Sequence, residues 1–408
     1  MVKRQMLLVW GLAATVLVLA GTSEGAGWSQ FRGADRSGVS NEKGLLKAWP
    51  EDGPKVLWRK SIGDGFATVT THDKAVYVLA GDAENEYALR LDPASGDEVW
   101  RTVIGPMFEE AFGNGPRSTP VVDGDRLFAL SSTGKLSALA IADGTVKWQI
   151  DVTETFGARV PQRGFCPSPI IEGDLLILEI GGSEQRAVVA LEKTSGELRW
   201  ANRESRGGGY SSPIAVTVDG VRQLIFVHST AREISSISPE GEVLWTHEWP
   251  PGAIAMPVFV PPNRVMVSAS ADVGAVLLEI STEEGQTSVQ EVWRNRVMKN
   301  HFSSSVHHDG FIYGFDNGTL KCIDAATGEQ KWARRGFGKG TLIAADGLLF
   351  ILGDRGQLAL AEATPESYSE AGRWQAFKSK TWSAPALADG RLYLRDQQEI
   401  VCLEVAGG

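Results

Sequence analysis

Six residues between positions 117 and 382 are of types that hold a small anionic or aromatic ligand: Arg117, Arg163, Tyr210, His301, Lys339 and Trp382. Guanidinium and ammonium groups pair with carboxylates, and rings stack on rings. Each stands in a segment leading into a short strand, so binding is the chemistry expected wherever those segments meet. Cys166, Cys322 and Cys402 are odd in number, without a CxxC spacing or an adjacent pair, and specify neither a disulfide framework nor a structural zinc site. They are expected to be small buried hydrophobes. His307 and His308 would point to opposite faces of a strand and cannot share an ion with His301 without a bulge. No fourth ligand is visible, so zinc is not expected. Glu109 and Glu110 are the nearest candidates for a metal-holding carboxylate pair, but adjacent glutamates in a loop are expected to be solvated. No catalytic residue and no metal site is assigned.

The elements that must position these residues are repeats. A tryptophan follows a turn glycine by four positions at Gly96/Trp100, Gly144/Trp148, Gly196/Trp200, Gly241/Trp245 and Gly328/Trp332, and Trp293 and Trp374 keep the interval with altered turns. Successive tryptophans from Trp58 to Trp374 are about 39 to 52 residues apart, the period of a propeller blade. Within one copy, Ser303 to His307, Phe311 to Phe315, Leu320 to Asp324 and Gln330 to Ala333 read as strands. Between them Asp309-Gly310, Asn317-Gly318 and Thr327-Gly328 supply turns, which place positive φ where Gly or Asn accepts it. Asn317-Gly318-Thr319 is therefore read as turn chemistry and not as a glycan site. The last copy, from Trp382 to Val405, provides three strands and ends without a tryptophan strand. Trp58, in Lys55-Val56-Leu57-Trp58-Arg59, is a tryptophan strand with no blade before it. Joining the two removes an open edge and closes a ring. The expected fold is all-β: an eight-bladed β-propeller of four-stranded antiparallel blades over residues 55–408.

Ahead of the ring, residues 26–54 read as an irregular leader, too dense in glycine and polar residues for regular structure. It is expected to pack on the propeller through Trp28 and Phe31. Residues 1–25 read as a signal peptide: Lys3 and Arg4 precede the apolar run Met6 to Ala20, which has the length of an h-region and is short for a membrane span. Cleavage is expected after Ala20 or Gly25. Leu19-Ala20-Gly21-Thr22 has the outline of a lipoprotein processing site, but Thr22 stands where a lipidated cysteine is needed. The chain is thus expected to be exported to the periplasm or cell envelope, with no transmembrane span in its mature form. A formal charge of -10 and a pI near 5.3, with no basic run, argue against nucleic acid as a partner.

The phrases Leu91-Asp92-Pro93-Ala94-Ser95-Gly96 to Trp100 and Ile323-Asp324-Ala325-Ala326-Thr327-Gly328 to Trp332 resemble the tryptophan-docking motif of the PQQ-like β-propeller repeat. That family has quinoprotein alcohol dehydrogenase-like and BamB-like members. Trp28-Ser29-Gln30-Phe31-Arg32-Gly33, with Gly115 to Pro120 and Gly209 to Pro213, resembles exported single-propeller proteins of planctomycete-type bacteria. The resemblance implies that Trp58, Trp100, Trp148, Trp200, Trp245, Trp293, Trp332 and Trp374 are structural, each stacked on a neighbouring blade. A quinoprotein would bring PQQ with calcium, a catalytic aspartate and often an adjacent-cysteine disulfide, and the Cys-Cys pair is missing here. The function expected is a non-catalytic binding or scaffolding propeller without a cofactor, monomeric, serving a protein partner or small ligand of the envelope. The alternative is a PQQ-dependent oxidoreductase.

Overall fold

The structure, a computed structural model, describes residues 27–202 and 209–407; the signal peptide expected over residues 1–25 lies outside them. Eight sheets form the ring, built from residues 70–106, 121–151, 170–202, 214–248, 258–295, 306–334 and 341–375, with the eighth from 386–404 and the strand Lys55–Ser61. We number these blades one to eight. Each runs from an inner strand through two middle strands to an outer one carrying the tryptophan, every pairing antiparallel. The hairpins follow from turn chemistry: Asp309 and Gly310 sit at φ 48° and 83°, Asp389 and Gly390 at 53° and 68°, the paired positive φ of a two-residue turn. Lys55–Ser61 pairs antiparallel with Glu399–Glu404, with Trp58 opposite Cys402, so the ring closes as the sequence predicts. Among the described residues no helix is long and apolar enough to cross a membrane.

The constant glycine-to-tryptophan interval has a physical cause. A Cβ at Gly144 would lie 2.8 Å from the Trp100 ring, one at Gly196 2.9 Å from Trp148, and one at Gly96 2.6 Å from Trp58. Each indole lies flat on the turn of the next blade, a turn whose glycine also sits at positive φ. The ring nitrogens complete the dock, Trp58 donating to Pro93 O, Trp100 to Ile141 O and Trp148 to Lys193 O. Trp374 docks on Gly53 of the leader, which stands in for the missing turn. Trp245 departs from the pattern, since its Nε1 donates to Gln223 Oε1 of its own blade.

The leader is more than a surface strap. Trp28 is buried, as expected, but Phe31 is only half-buried and the chief anchors are two buried arginines. Arg36 donates to Ser168 O (3.2 Å) and Pro213 O (3.0 Å) and also to Pro169 O, while Arg32 donates to Ser305 O (2.8 Å) and Leu342 O (3.4 Å). Trp28 and Thr71 exchange hydrogen bonds, and Val122 N donates to Ser29 O. The segment thus touches inner strands or their approaches in blades one, two, three, four, six and seven. It then forms a two-residue strand, Val39–Ser40, parallel to the inner strand Thr341–Ala345 of blade seven. The purely irregular leader expected from composition is corrected here: an inner strand facing the channel has one unpaired edge, and the leader satisfies part of it.

Candidate ligand-binding cavity

The leader divides the central channel. On one side of Phe31 and Arg32 lies a cavity of about 440 Å³, walled by the segments that lead into the inner strands. Arg117, Arg163, Tyr210, His301 and Trp382 all line it, and Lys339 joins them through His301, its Nζ 3.4 Å from Nδ1. The fold therefore brings five of the six sequence-selected residues to the cavity wall and sets Lys339 beside one of them. Phe66, Phe112 and Phe302 were not singled out in the sequence, yet they surround Trp382 with ring centroids 5.8, 6.1 and 4.8 Å away. Their positions in the same class of loops were the available signal.

Glu110 corrects the expectation of a solvated glutamate pair. Glu109 is exposed, but the Glu110 side chain is 8% exposed and forms an ion pair with Arg163, with Arg117 Nη2 at 3.7 Å from its other oxygen. Arg117 is fixed further by donating to Gly113 O (2.7 Å) and Gly115 O, and by the rings of Phe66 and Phe108 at 5.4 and 4.9 Å. Arg163 lies over Phe112 at 4.5 Å and is about one-third exposed (37%). Counted together, two arginines share one carboxylate while Lys339 adds a further positive charge. The cavity is a basic site in an acidic protein, which focuses anions toward it.

Burial shapes the titrations. It lowers His301, with Lys339 adding to the effect, so the imidazole is held neutral more readily than a free one. It pushes the Cys166 thiol up to about 12, despite Arg117 and Arg163 nearby, which disfavours the thiolate; unlike Cys322 and Cys402, this cysteine is not the buried hydrophobe expected but is part-buried and lines the cavity. Behind Arg117, buried Glu86 is raised to about 7, mainly by desolvation, although its Oε2 accepts from Ser132 N at 2.7 Å. A raised carboxyl contributes stability that is full below its unfolded value and is lost as pH rises through its folded one. Glu86→Gln is thus expected to abolish a stability loss between about pH 4.5 and 7 that reaches about 3 kcal/mol in the native protein. Denaturant melts across that range would check it, parallel pH profiles for the two proteins being the contrary result.

The three histidines do not converge. His301 lines the cavity, whereas His307 lines a separate groove with Asp35 and Pro261, and His308 lies against Asp309. A serine-histidine-carboxylate relay does exist elsewhere: His228 Nδ1 is 3.0 Å from Glu179 Oε1 and its Nε2 2.7 Å from Ser235 Oγ. All three are buried, Ser235 completely, so the relay braces neighbouring blades and has no opening to a substrate.

A calcium-bound quinone does not fit the donor set. Calcium takes about six to eight oxygen ligands. Glu110 is the one carboxylate among the described lining residues, already shared by two arginines, and the remaining ionisable lining groups are basic, a thiol or a phenol. A divalent cation would be repelled here.

The family model described as outer membrane protein assembly factor BamB matches residues 8–157, 84–334 and 316–408. The outer membrane protein assembly factor BamB of Yersinia pestis is 23% identical over 337 residues, 76% of this chain and 78% of the relative. Among solved structures, BamB from Moraxella catarrhalis superposes with a TM-score of 0.60 at 12% identity, over 86% of this chain and 98% of that one. Quinohemoprotein alcohol dehydrogenase from Comamonas testosteroni gives 0.64 at 12% identity, over 94% and 81%. At such identities the structural likenesses show the fold alone. Matched along nearly its whole length by one family model, the chain belongs to the PQQ-like propeller family of the outer membrane protein assembly factor BamB.

Proposed function

We propose that this protein is an exported, non-catalytic binding propeller of the cell envelope whose central cavity receives an anionic group on an apolar or aromatic body, offered by a small ligand or a protein partner. The convergence of Arg117, Arg163, Tyr210, His301, Lys339 and Trp382 on one basic, aromatic-walled cavity carries this reading. Membership of a family described by an assembly factor supports a binding role over a catalytic one. The PQQ-dependent oxidoreductase reading has the fold in its favour, and the donor set against it.

The reading is tested with two probes that differ in charge, 1-naphthoate and 1-naphthamide. A ligand that binds only the folded state raises Tm by mass action. We expect naphthoate to raise Tm in a saturable way, naphthamide to do so less, and Lys339→Ala to weaken the naphthoate effect. Equal, non-saturable responses to both probes would count against the cavity as an anion site.

A further inference from the structure

The connection between blades one and two crosses the cavity mouth, and its chemistry reaches further than that of a simple loop. Residues 107–114 fold on themselves: Gly113 N donates to Glu110 O (2.9 Å), Phe112 N to Glu110 Oε2 (2.8 Å) and Glu110 N to Asn114 Oδ1 (3.1 Å). The turn therefore keeps its shape without help from the far wall. Its ties to the rest of the cavity are the Glu110 ion pair with Arg163, the Phe112 ring against Arg163 and Trp382, Lys380 Nζ donating to Phe112 O at 2.6 Å, Arg117 donating to Gly113 O at 2.7 Å, and Gly113 packed against Phe66 and Gln397. Phe112 itself is 49% exposed, unusual for a phenylalanine held in place by packing.

The two arginines differ in what they would lose with Glu110. Arg117 would keep Gly115 O and the Phe66 ring, its other two partners, Gly113 O and the Phe108 ring, lying within residues 107–114. Arg163, one-third exposed, would keep no other carboxylate among the described residues. A buried or half-buried guanidinium without an anion is costly, so the site favours exchange of one carboxylate for another.

We propose that Glu110 is an intramolecular stand-in for the ligand's anionic group, and that a carboxylate borne on an apolar ring binds by replacing it on Arg163 while strap 107–114 swings away from Trp382. This rests on the cavity reading above and adds to it the ligand's carboxylate and a built-in competitor. If the strap-closed form dominates by about ten to one, the apparent affinity of the open site is reduced by about that factor, and removing the competitor restores it.

The test is calorimetric titration of 1-naphthoate and 1-naphthamide into the native protein and into Glu110→Gln. We expect Glu110→Gln to bind naphthoate about tenfold more tightly, with naphthamide changed far less, and Arg163→Ala in the Glu110→Gln background to remove the gain. Glu110→Asp, which keeps the charge but shortens its reach, is expected to tighten binding too and serves if the glutamine variant does not fold. Naphthoate bound equally by native protein and both variants would overturn the stand-in role and leave the cavity reading in place. Binding by none of the proteins would overturn both.

Discussion

Arg36→Ala is expected to cost about 3 to 5 kcal/mol of stability, because it leaves buried carbonyls of two blades without a donor. Arg36 is 2% exposed, donates to Ser168 O, Pro169 O and Pro213 O as well as to Gln30 Oε1, and is lowered to about 9 by burial with no carboxylate beside it. Its charge is held by neutral amide dipoles, three main-chain carbonyls and the Gln30 side chain. Arg36→Lys is expected to recover little, since a single ammonium cannot reproduce a planar fork reaching two blades. Denaturant unfolding measures the loss. A change under about 1 kcal/mol would mean that the leader merely rests in the channel and does not tie the inner strands together.

Trp58→Ala is expected to cost a similar amount, about 3 to 5 kcal/mol, for a different reason. Trp58 is 6% exposed, packs on Tyr393 at 6.0 Å within its own blade and on Gly96 of blade one, and donates to Pro93 O. It therefore joins the strand that completes blade eight to the first blade of the ring. Truncation through residue 60 removes the same dock together with most of the closing strand and is expected to be still more damaging. Unchanged melting in either variant would contradict closure through this strand.

The contrast between these two residues shows what the sequence could reveal. Trp58 was legible because the docking tryptophans recur with a blade's period, which leaves Trp58 as a tryptophan strand with no blade before it. Arg36 was not, because its partners are main-chain oxygens at positions 168, 169 and 213, and a carbonyl leaves no mark in side-chain composition. The six cavity residues were legible as a class, since each precedes an inner strand and such loops meet at one end of a propeller. Glu110 was misread for a local reason: an adjacent pair of glutamates in a loop gives no sign that one turns inward to a guanidinium from the next blade. Phe112 and Trp382, brought together from opposite parts of the chain by ring closure, are a consequence of topology that no short motif carries.

The cavity's role as an anion site is tested most directly by ¹⁹F NMR of protein labelled with 5-fluorotryptophan, with the Trp382 resonance assigned through Trp382→Phe. Trp382 lies between Phe66, Phe112 and Phe302 and beneath Lys380 Nζ at 4.4 Å, so a ring entering the cavity must alter its surroundings. We expect 1-naphthoate to shift the Trp382 signal saturably while the blade-docking tryptophans stay where they were, and Lys339→Ala to weaken the response. Saturable naphthoate binding with an unmoved Trp382 signal would contradict it and place the anion elsewhere on the protein.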